Sequence, residues 1–354
     1  VAKQLVFVAL SGGVDSALTA ALLQEKGYEV IAVFMRNWMD DDGRPECTSL
    51  ADWLSARRVC DHLGIEIQQV NFSQLYKKKV FHPFLRGLAE GITPNPDVLC
   101  NHFIKFQALK HYVRQQGGQL LATGHYARLV SMPPQLHRAY DSTKCQTYFL
   151  FAVNNFDNCL MPLGDLRKSQ VRAMAKKRRL PNYARKDSTG LCFIGERNFS
   201  RFISRYIKDD PGEIVDGQGK VHGQHRGLFH YTIGQRRGLG IGGKTNSAHS
   251  AWYVIKKDKK NNRLIVGQQA NALYANEICI TNLHWINEPP KLPLNCQVQI
   301  RYRSQSSPCI VSSPKEGHCF LQFTQPQKAA TPGQAAVLYQ GERCLGGGFI
   351  TPSI

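Results

Sequence analysis

Three short segments of the chain carry residue types spaced for chemistry. Ser11-Gly12-Gly13-Val14-Asp15-Ser16 stands between the apolar run Leu5–Leu10 and the helix-like stretch Ala17–Leu23. A buried strand that passes through paired glycines into a helix aims backbone N–H groups and the positive helix end at one point, where a phosphate can sit. Gly12 and Gly13 allow close approach, Ser11 and Ser16 supply hydroxyl donors, and Asp15 could hold a metal or the helix start. The second segment, Thr93-Pro94-Asn95-Pro96-Asp97-Val98-Leu99-Cys100-Asn101, sets a thiol just before a helical stretch. Its prolines favour extended backbone, and Asp97 can cap the helix or place a carboxylate beside the thiol. A cysteine near a helix N-terminus gains thiolate character. The third, Lys186-Asp187-Ser188-Thr189-Gly190-Leu191-Cys192-Phe193-Ile194-Gly195, places Cys192 in a polar, glycine-punctuated stretch between basic residues.

Elements able to position these groups follow from the apolar patterning. Strands at 5–10, 29–35, 66–71 and 119–123 alternate with helices at 16–26, 49–63, around 75–90 and 101–116, the rhythm of a doubly wound parallel α/β sheet. The glycine loop then falls at the carboxyl end of the first strand, where such folds bind ligands. Met35, ending the second strand, would lie beside a nucleotide base or pack in the core. From about residue 205 the texture turns to short β-rich runs broken by Gly, Pro and Asn. Phe229–Ile233 and Trp252–Ile255 read as strands of a small middle domain. Gln297–Tyr302, Cys319–Phe323 and Ala336–Tyr339 read as strands of a C-terminal β-barrel. The expected domains are 1–204, 205–272 and 273–354. Gly238-x-Gly240-x-x-Gly243 matches a dinucleotide fingerprint by letter, but Lys244-Thr245-Asn246-Ser247 follows it where an apolar helix is required, so it reads as a loop.

Bulk properties narrow the class. The 354 residues exceed one ordinary core, and no apolar run approaches the roughly 18 residues of a membrane span. The N-terminus runs into a strand without a basic-then-apolar signal, so a soluble intracellular enzyme is expected, with no membrane association. Lys and Arg number 45 against 26 Asp and Glu, a net charge of +19 that favours a polyanionic partner such as nucleic acid. The charge gathers at Lys77–Lys79, Lys176–Arg179, Arg236-Arg237, Lys256–Lys260 and Arg301-Tyr302-Arg303. Eleven cysteines with no zinc-like spacing imply reduced thiols and no metal centre.

The first loop resembles the pyrophosphate loop of the N-type ATP pyrophosphatases, since no Walker lysine follows it. Taken in order with Asn95-Pro96-Asp97-x-x-Cys100-Asn101, Ala122-Thr123-Gly124-His125-Tyr126-Ala127-Arg128, Asp187-Ser188-Thr189-Gly190-x-Cys192-Phe193-Ile194-Gly195, Gly234-Gln235-Arg236-Arg237-Gly238, Thr331-Pro332-Gly333-Gln334 and Leu345-Gly346-Gly347-Gly348, it is similar over the whole chain to the tRNA-specific 2-thiouridylases. The resemblance implies an N-type ATP pyrophosphatase domain, a small β-rich central domain and a tRNA-binding barrel. It implies ATP with Mg²⁺, adenylation of the wobble uridine 2-oxygen, and sulfur delivered as a persulfide. By the same similarity Cys192 carries the persulfide, Cys100 is the nucleophile that pairs with it, and Asp97 is an acid/base. Ala9, Leu10, Ser11, Gly12, Gly13, Val14, Asp15, Ser16, Met35 and Gly124 would contact ATP. Asn95, Pro96 and Asp97 would meet the target base, and His125, Lys144, Cys145, Gln146, Arg301, Tyr302 and Gln334 would contact tRNA. The implied partners are tRNA and a persulfide donor, either a relay protein or a cysteine desulfurase, acting on a monomer in the cytoplasm or, as a mature form, the mitochondrial matrix. Departures from the family pattern are Ser55 in place of an acidic residue, His102 in place of Lys, and Cys145 in place of Asp. The rivals are a 4-thiouridine synthetase, an amidating ligase of the same superfamily, and a non-catalytic tRNA-binding relative.

Overall fold

The computed structural model describes residues 3–38, 48–187, 199–241 and 251–352. Its first part contains strands β1 (Leu5–Ala9), β2 (Glu29–Arg36), β3 (Glu66–Asn71) and β4 (Leu120–Ala122), a hairpin of β5 (Ala127–Val130) and β6 (Gln135–Arg138), and β7 (Cys159–Leu160). A parallel sheet runs β3-β2-β1-β4-β7. Val6, Phe7, Val8 and Ala9 of β1 are all buried, as a central strand covered on both faces requires. On one face, helices Val14–Glu25, Thr48–Leu63 and Lys168–Lys177 supply Leu18, Ala21, Val59, Val171 and Ala175 against Ala32 and Phe34. On the other, helical runs over 73–89 and 96–115 supply Tyr76, Phe81, Phe84, Ile104 and Leu109 against Phe7, Val33 and Met35. The doubly wound α/β arrangement is thus as expected, with Met35 a core residue at the end of β2. Both of the latter runs widen into π-helix, at Lys77–Phe81 and Cys100–Ala108, a rare geometry that is frequent at functional sites.

A second sheet joins β8 (Gly212–Val215), β9 (Val221–His225), β10 (Tyr253–Asp258) and β11 (Arg263–Gly267) in the order β10-β11-β8-β9. Phe229–Ile233 is not one of its strands. Leu228–His230 forms a short 3-10 helix, and the segment leaves it towards Gly234 at φ 82°. The Phe/Tyr/Ile alternation misleads because burial does not alternate: Leu228 and Tyr231 enter the core of this domain while Phe229 enters the core of the parallel-sheet domain. The segment therefore joins two cores instead of pairing in one sheet. Gly238 and Gly240 lie in a loop, as expected.

β12 (Tyr274–Trp285), β13 (Leu294–Gln299), β14 (Ser307–Val311), β15 (His318–Lys328), β16 (Ala335–Gln340) and β17 (Arg343–Ile350) are ordered β12-β15-β14-β13-β16-β17, and β17 pairs back onto β12. All these pairings are antiparallel, so the six strands close into a barrel without edges. The strand anticipated over 297–302 stops at Gln299. The Gln299 side chain donates to the Ser304 carbonyl at 2.9 Å, and Arg303 adopts φ 64°, so Arg301 and Tyr302 lie in a turn. The β5–β6 hairpin is welded to the barrel: β6 pairs with β17, Arg138 N–H donates to the Glu342 carbonyl at 2.8 Å, and its guanidinium stacks 3.5 Å from the Tyr339 ring centre.

Candidate active site

Strand order reverses between β1 and β4, so the crevice beyond their carboxyl ends is where an open α/β sheet takes a ligand. The Ser11–Ser16 loop leaves β1 there. Gly12 has φ 80°, and its carbonyl is held by three donors: Ser55 Oγ at 2.8 Å, Asn182 Nδ2 at 2.8 Å and Arg185 at 3.1 Å. Arg185 also pairs with Asp52. Ser55, the unusual residue, thus ties helix Thr48–Leu63 to the loop. Helix Val14–Glu25 starts after Gly13 with no side chain capping its first turn, leaving those N–H groups to a ligand. Ser16 Oγ accepts from Ser11 N at 3.1 Å and donates to the Gly13 carbonyl at 3.1 Å, fixing the curve of the loop. Beyond β4, a Cβ on Gly124 would sit 2.9 Å from Asp15 C and Ser16 N, so a glycine is needed to bring the two loops together. Asn182 Oδ1 is buried beside this cradle with no partner among the described residues. The cradle, the uncapped helix start and the flanking cations fit a nucleotide triphosphate.

Asp15 neither caps the helix nor stands alone. Its carboxylate receives Lys168 Nζ at 2.7 and 2.8 Å and the Tyr126 hydroxyl at 2.8 Å. Lys168 also reaches Asp187 at 2.7 Å, and Asp187 takes further bonds from Lys144 and Arg172, each at 2.7 Å. Burial opposes ionisation of Asp187, yet the bonds from Lys144 and Lys168 outweigh it and bring its pKa down to about 2. Asp141 adds a third carboxylate to the cluster, receiving the Lys168 backbone N–H at 2.9 Å, so its three cations are balanced by three carboxylates. Lys168 is the residue that sequence reasoning missed, along with Asn182 and Arg185. A signal existed: Lys168 opens its helix directly after Arg167, where the helix dipole disfavours cations.

The Cys100 segment packs against Phe7, Ala9 and Met35 on the other face of the sheet from helix Val14–Glu25. Asn95, not Asp97, is the cap: its side chain accepts from Asp97 N at 3.1 Å, because Pro96 at the first helical position leaves that N–H as the donor to be satisfied. Asp97 is half-buried one turn before Cys100, and Cys100 begins the π-helical stretch with its side chain wholly buried. Cys192 lies outside the described residues, within a segment that Asp187 leads into.

Of the residues matched to tRNA contacts, His125 is buried. It is bonded to Thr123 at 2.8 Å, and burial, reinforced by the Lys105 charge, holds its pKa well below the usual imidazole value. Gln146 locks to Tyr126 through its side chain, and Cys145 Sγ receives Ala139 N–H at 3.4 Å. Gln334 donates to the Thr93 carbonyl at 2.7 Å, and Thr93 N–H donates to the Pro332 carbonyl at 2.8 Å. Thr93, Thr232, Gln235, Arg301, Thr331 and Gln334 line a cavity of about 320 Å³ where all three parts of the chain meet. Tyr302 lies beside it, its ring 4.4 Å from that of Phe149.

Comparison with known proteins bears on this arrangement. Residues 4–196 match the family model described as tRNA methyl transferase HUP domain, 200–268 the tRNA methyl transferase PRC-barrel domain, and 275–350 the aminomethyltransferase beta-barrel domain. The tRNA-specific 2-thiouridylase MnmA of Coxiella burnetii is 46% identical over 98% of this chain and 98% of its own. Those of Protochlamydia amoebophila, 45% identical over 98% of this chain and 93% of its own, and Methylobacillus flagellatus, 46% identical over 99% and 100%, are similar. The chain belongs to the tRNA-specific 2-thiouridylase family. In this 2-thiouridylase the loop lies in the part matched by the HUP model, and the three-way cavity joins all three matched regions. Among the described residues no helix is long and apolar enough to cross a membrane.

Proposed function

We propose that this chain is an ATP-dependent tRNA-uridine 2-sulfurtransferase that thiolates the wobble uridine. One observation carries the reading: a glycine loop with an uncapped helix start sits at the strand-order switch of a chain related over almost its full length to tRNA-specific 2-thiouridylases. An amide-like oxygen is a poor leaving group. ATP, accompanied by Mg²⁺, supplies the adenylyl group that makes the uridine 2-oxygen displaceable. The backbone of residues 11–16, the Ser11 hydroxyl and Lys168 hold the phosphates, Gly124 keeps the cradle open, and Met35 borders the base.

The flipped uridine enters by the three-way cavity, a route open to an unpaired loop nucleotide and closed to a duplex. Asn95, Pro96 and Asp97 meet it, and Asp97 moves protons at the base. Arg301, Tyr302, Gln334 and the Lys144–Gln146 segment bear on the RNA. Cys192 carries the persulfide; its outer sulfur bonds to C2, the Cys100 thiolate attacks the inner sulfur so that the persulfide S–S bond breaks, the C2–O bond breaks with AMP leaving on the former 2-oxygen, and a Cys100–Cys192 disulfide is left as the thiolated base departs. This balance needs no metal redox chemistry, only a reductant to reopen the disulfide. Cys100 is wholly buried, so the reading requires its helix start to open when RNA or the Cys192 segment arrives. A persulfide donor protein, a monomeric state, the domain division 1–204, 205–272 and 273–354, and a cytoplasmic or, alternatively, mitochondrial setting complete the proposal.

The test is Cys192→Ser. Pyrophosphate release on tRNA is expected to persist while 2-thiouridine falls to background, because serine cannot hold a persulfide. Normal 2-thiouridine in this variant would overturn the assignment.

A further inference from the structure

Five cysteines sit on the strands of the barrel: Cys279, Cys296, Cys309, Cys319 and Cys344. None is used in the sulfur-transfer reading. Cys296 on β13 stands directly opposite Cys309 on the antiparallel neighbour β14, and their Sγ atoms are 3.8 Å apart. Directly opposed residues of an antiparallel pair have Cβ atoms about 4.5–5.5 Å apart, and disulfides span Cα separations of about 4.4–6.8 Å. Closing from 3.8 Å to a bond of about 2.05 Å therefore needs side-chain rotation and little strand movement.

We propose that Cys296 and Cys309 are an oxidisable dithiol whose disulfide locks the base of the β13–β14 hairpin, and that hydroperoxides are its oxidant. Cys309 is buried and Cys296 half-buried, so peroxide reaches Cys296 first. Either sulfur can donate in this contact; with the more buried Cys309 as donor, the bond favours the Cys296 thiolate, which is the reactive form. The Cys296 thiolate attacks a peroxide oxygen, the O–O bond breaks, and a sulfenic acid forms with release of alkoxide or hydroxide. The Cys309 sulfur then attacks Cys296 Sγ, the S–O bond breaks, and water leaves with the Cys309 proton. Two electrons pass from the sulfur pair to the peroxide. Elsewhere burial pushes thiols the other way, Cys60 and Cys344 to about 12 and Cys159 to about 11, so those remain protonated and slow to react.

The location gives the bond a consequence. The two cysteines are 13 positions apart and enclose the turn that carries Arg301, Tyr302 and Arg303. Oxidation would restrict that turn without touching the glycine loop.

The whole chain, treated with graded hydrogen peroxide, then unfolded and blocked with N-ethylmaleimide and digested, tests this by mass spectrometry. A 296–309 linked peptide pair, 2 Da lighter than the two reduced peptides together and lost on adding dithiothreitol, is expected at peroxide levels that leave Cys60, Cys159 and Cys344 alkylated. Cys309→Ser should replace it with a dimedone-trappable sulfenic acid at Cys296. Linkage of Cys309 to Cys319, or full alkylation of both residues while those three buried thiols oxidise, would overturn the proposal. Mapping of wild-type protein alone decides between these outcomes, so a misfolded variant does not obscure them. The result is independent of whether tRNA is thiolated.

Discussion

Gly12 and Gly13 are neighbours, yet only one of them has room for a side chain. At Gly12 a Cβ would overlap the Asp52 carbonyl, and φ is 80°. Gly13 has φ −80° and ψ 160°, and its Cβ would meet only Ser11 Oγ, at 3.4 Å. Gly12→Ala should therefore cost roughly 1–3 kcal/mol of stability in a denaturant titration. Gly13→Val should keep its midpoint within about 0.5 kcal/mol of wild type and still lose pyrophosphate release, because its methyls occupy the phosphate position. Release at the wild-type rate would reject the loop as the ATP site. Asp187 adds a pH signature. Its pKa falls from 3.8 unfolded to about 2 folded, so its contribution is full above pH ~4 and is lost as pH falls through about 2. Asp187→Asn should flatten the acid-unfolding curve in that window, and an unchanged curve would remove the ion cluster from the stability account.

At the scale of elements, the turn after β15 decides where the Cys100 segment lies. Gly333 adopts φ 88°, and a Cβ there would come within 2.9–3.1 Å of the Thr93 and Pro94 backbone. Gly333→Ala should destabilise the chain by roughly 1–3 kcal/mol and, by displacing residues 93–97, depress thiolation more than pyrophosphate release. Equal loss of both activities would show that the turn acts through global stability alone. Such contacts explain what was legible in the sequence. The Ser11–Ser16 loop and the parallel sheet could be read because strand, turn and helix chemistry are local. Lys168 belongs to no motif and meets Asp15 across 153 positions, so only its unfavourable place in the first turn of a helix marked it. Phe229–Ile233 was misread for a related reason: its aromatic alternation serves two cores, and nothing local distinguishes that from the face of a strand. The π-helical widening at Cys100 likewise has no propensity signal, because it is imposed by the packing of the run against the sheet.

At the scale of the molecule, the excess of 45 basic over 26 acidic residues is a property of the whole chain, and the welded β5–β6 hairpin ties the ATP domain to the barrel that displays part of it. Several of these charges are already spent internally: Lys144, Lys168 and Arg172 face Asp187, and Arg178 faces Glu25. Arg301 differs, being exposed, with its guanidinium donating to the Ala329 carbonyl at 3.5 Å and forming no ion pair among the described residues. If the barrel turn neutralises RNA phosphates, log affinity for tRNA should fall linearly with log salt, by about 0.9 per phosphate on duplex and about 0.7 on single strands. Arg301→Ala should weaken binding and make the slope shallower by close to one such unit, since one fewer counterion is released. Cys100→Ser, which removes a wholly buried thiol and no charge, should bind with the wild-type slope while thiolation stops. Filter binding of tRNA across a salt series, run beside nucleoside analysis, separates docking from chemistry. An Arg301→Ala slope equal to wild type would take the β13–β14 turn out of the RNA interface, and would leave the charge excess to be assigned to other clusters, of which Lys77–Lys79 is the first to test.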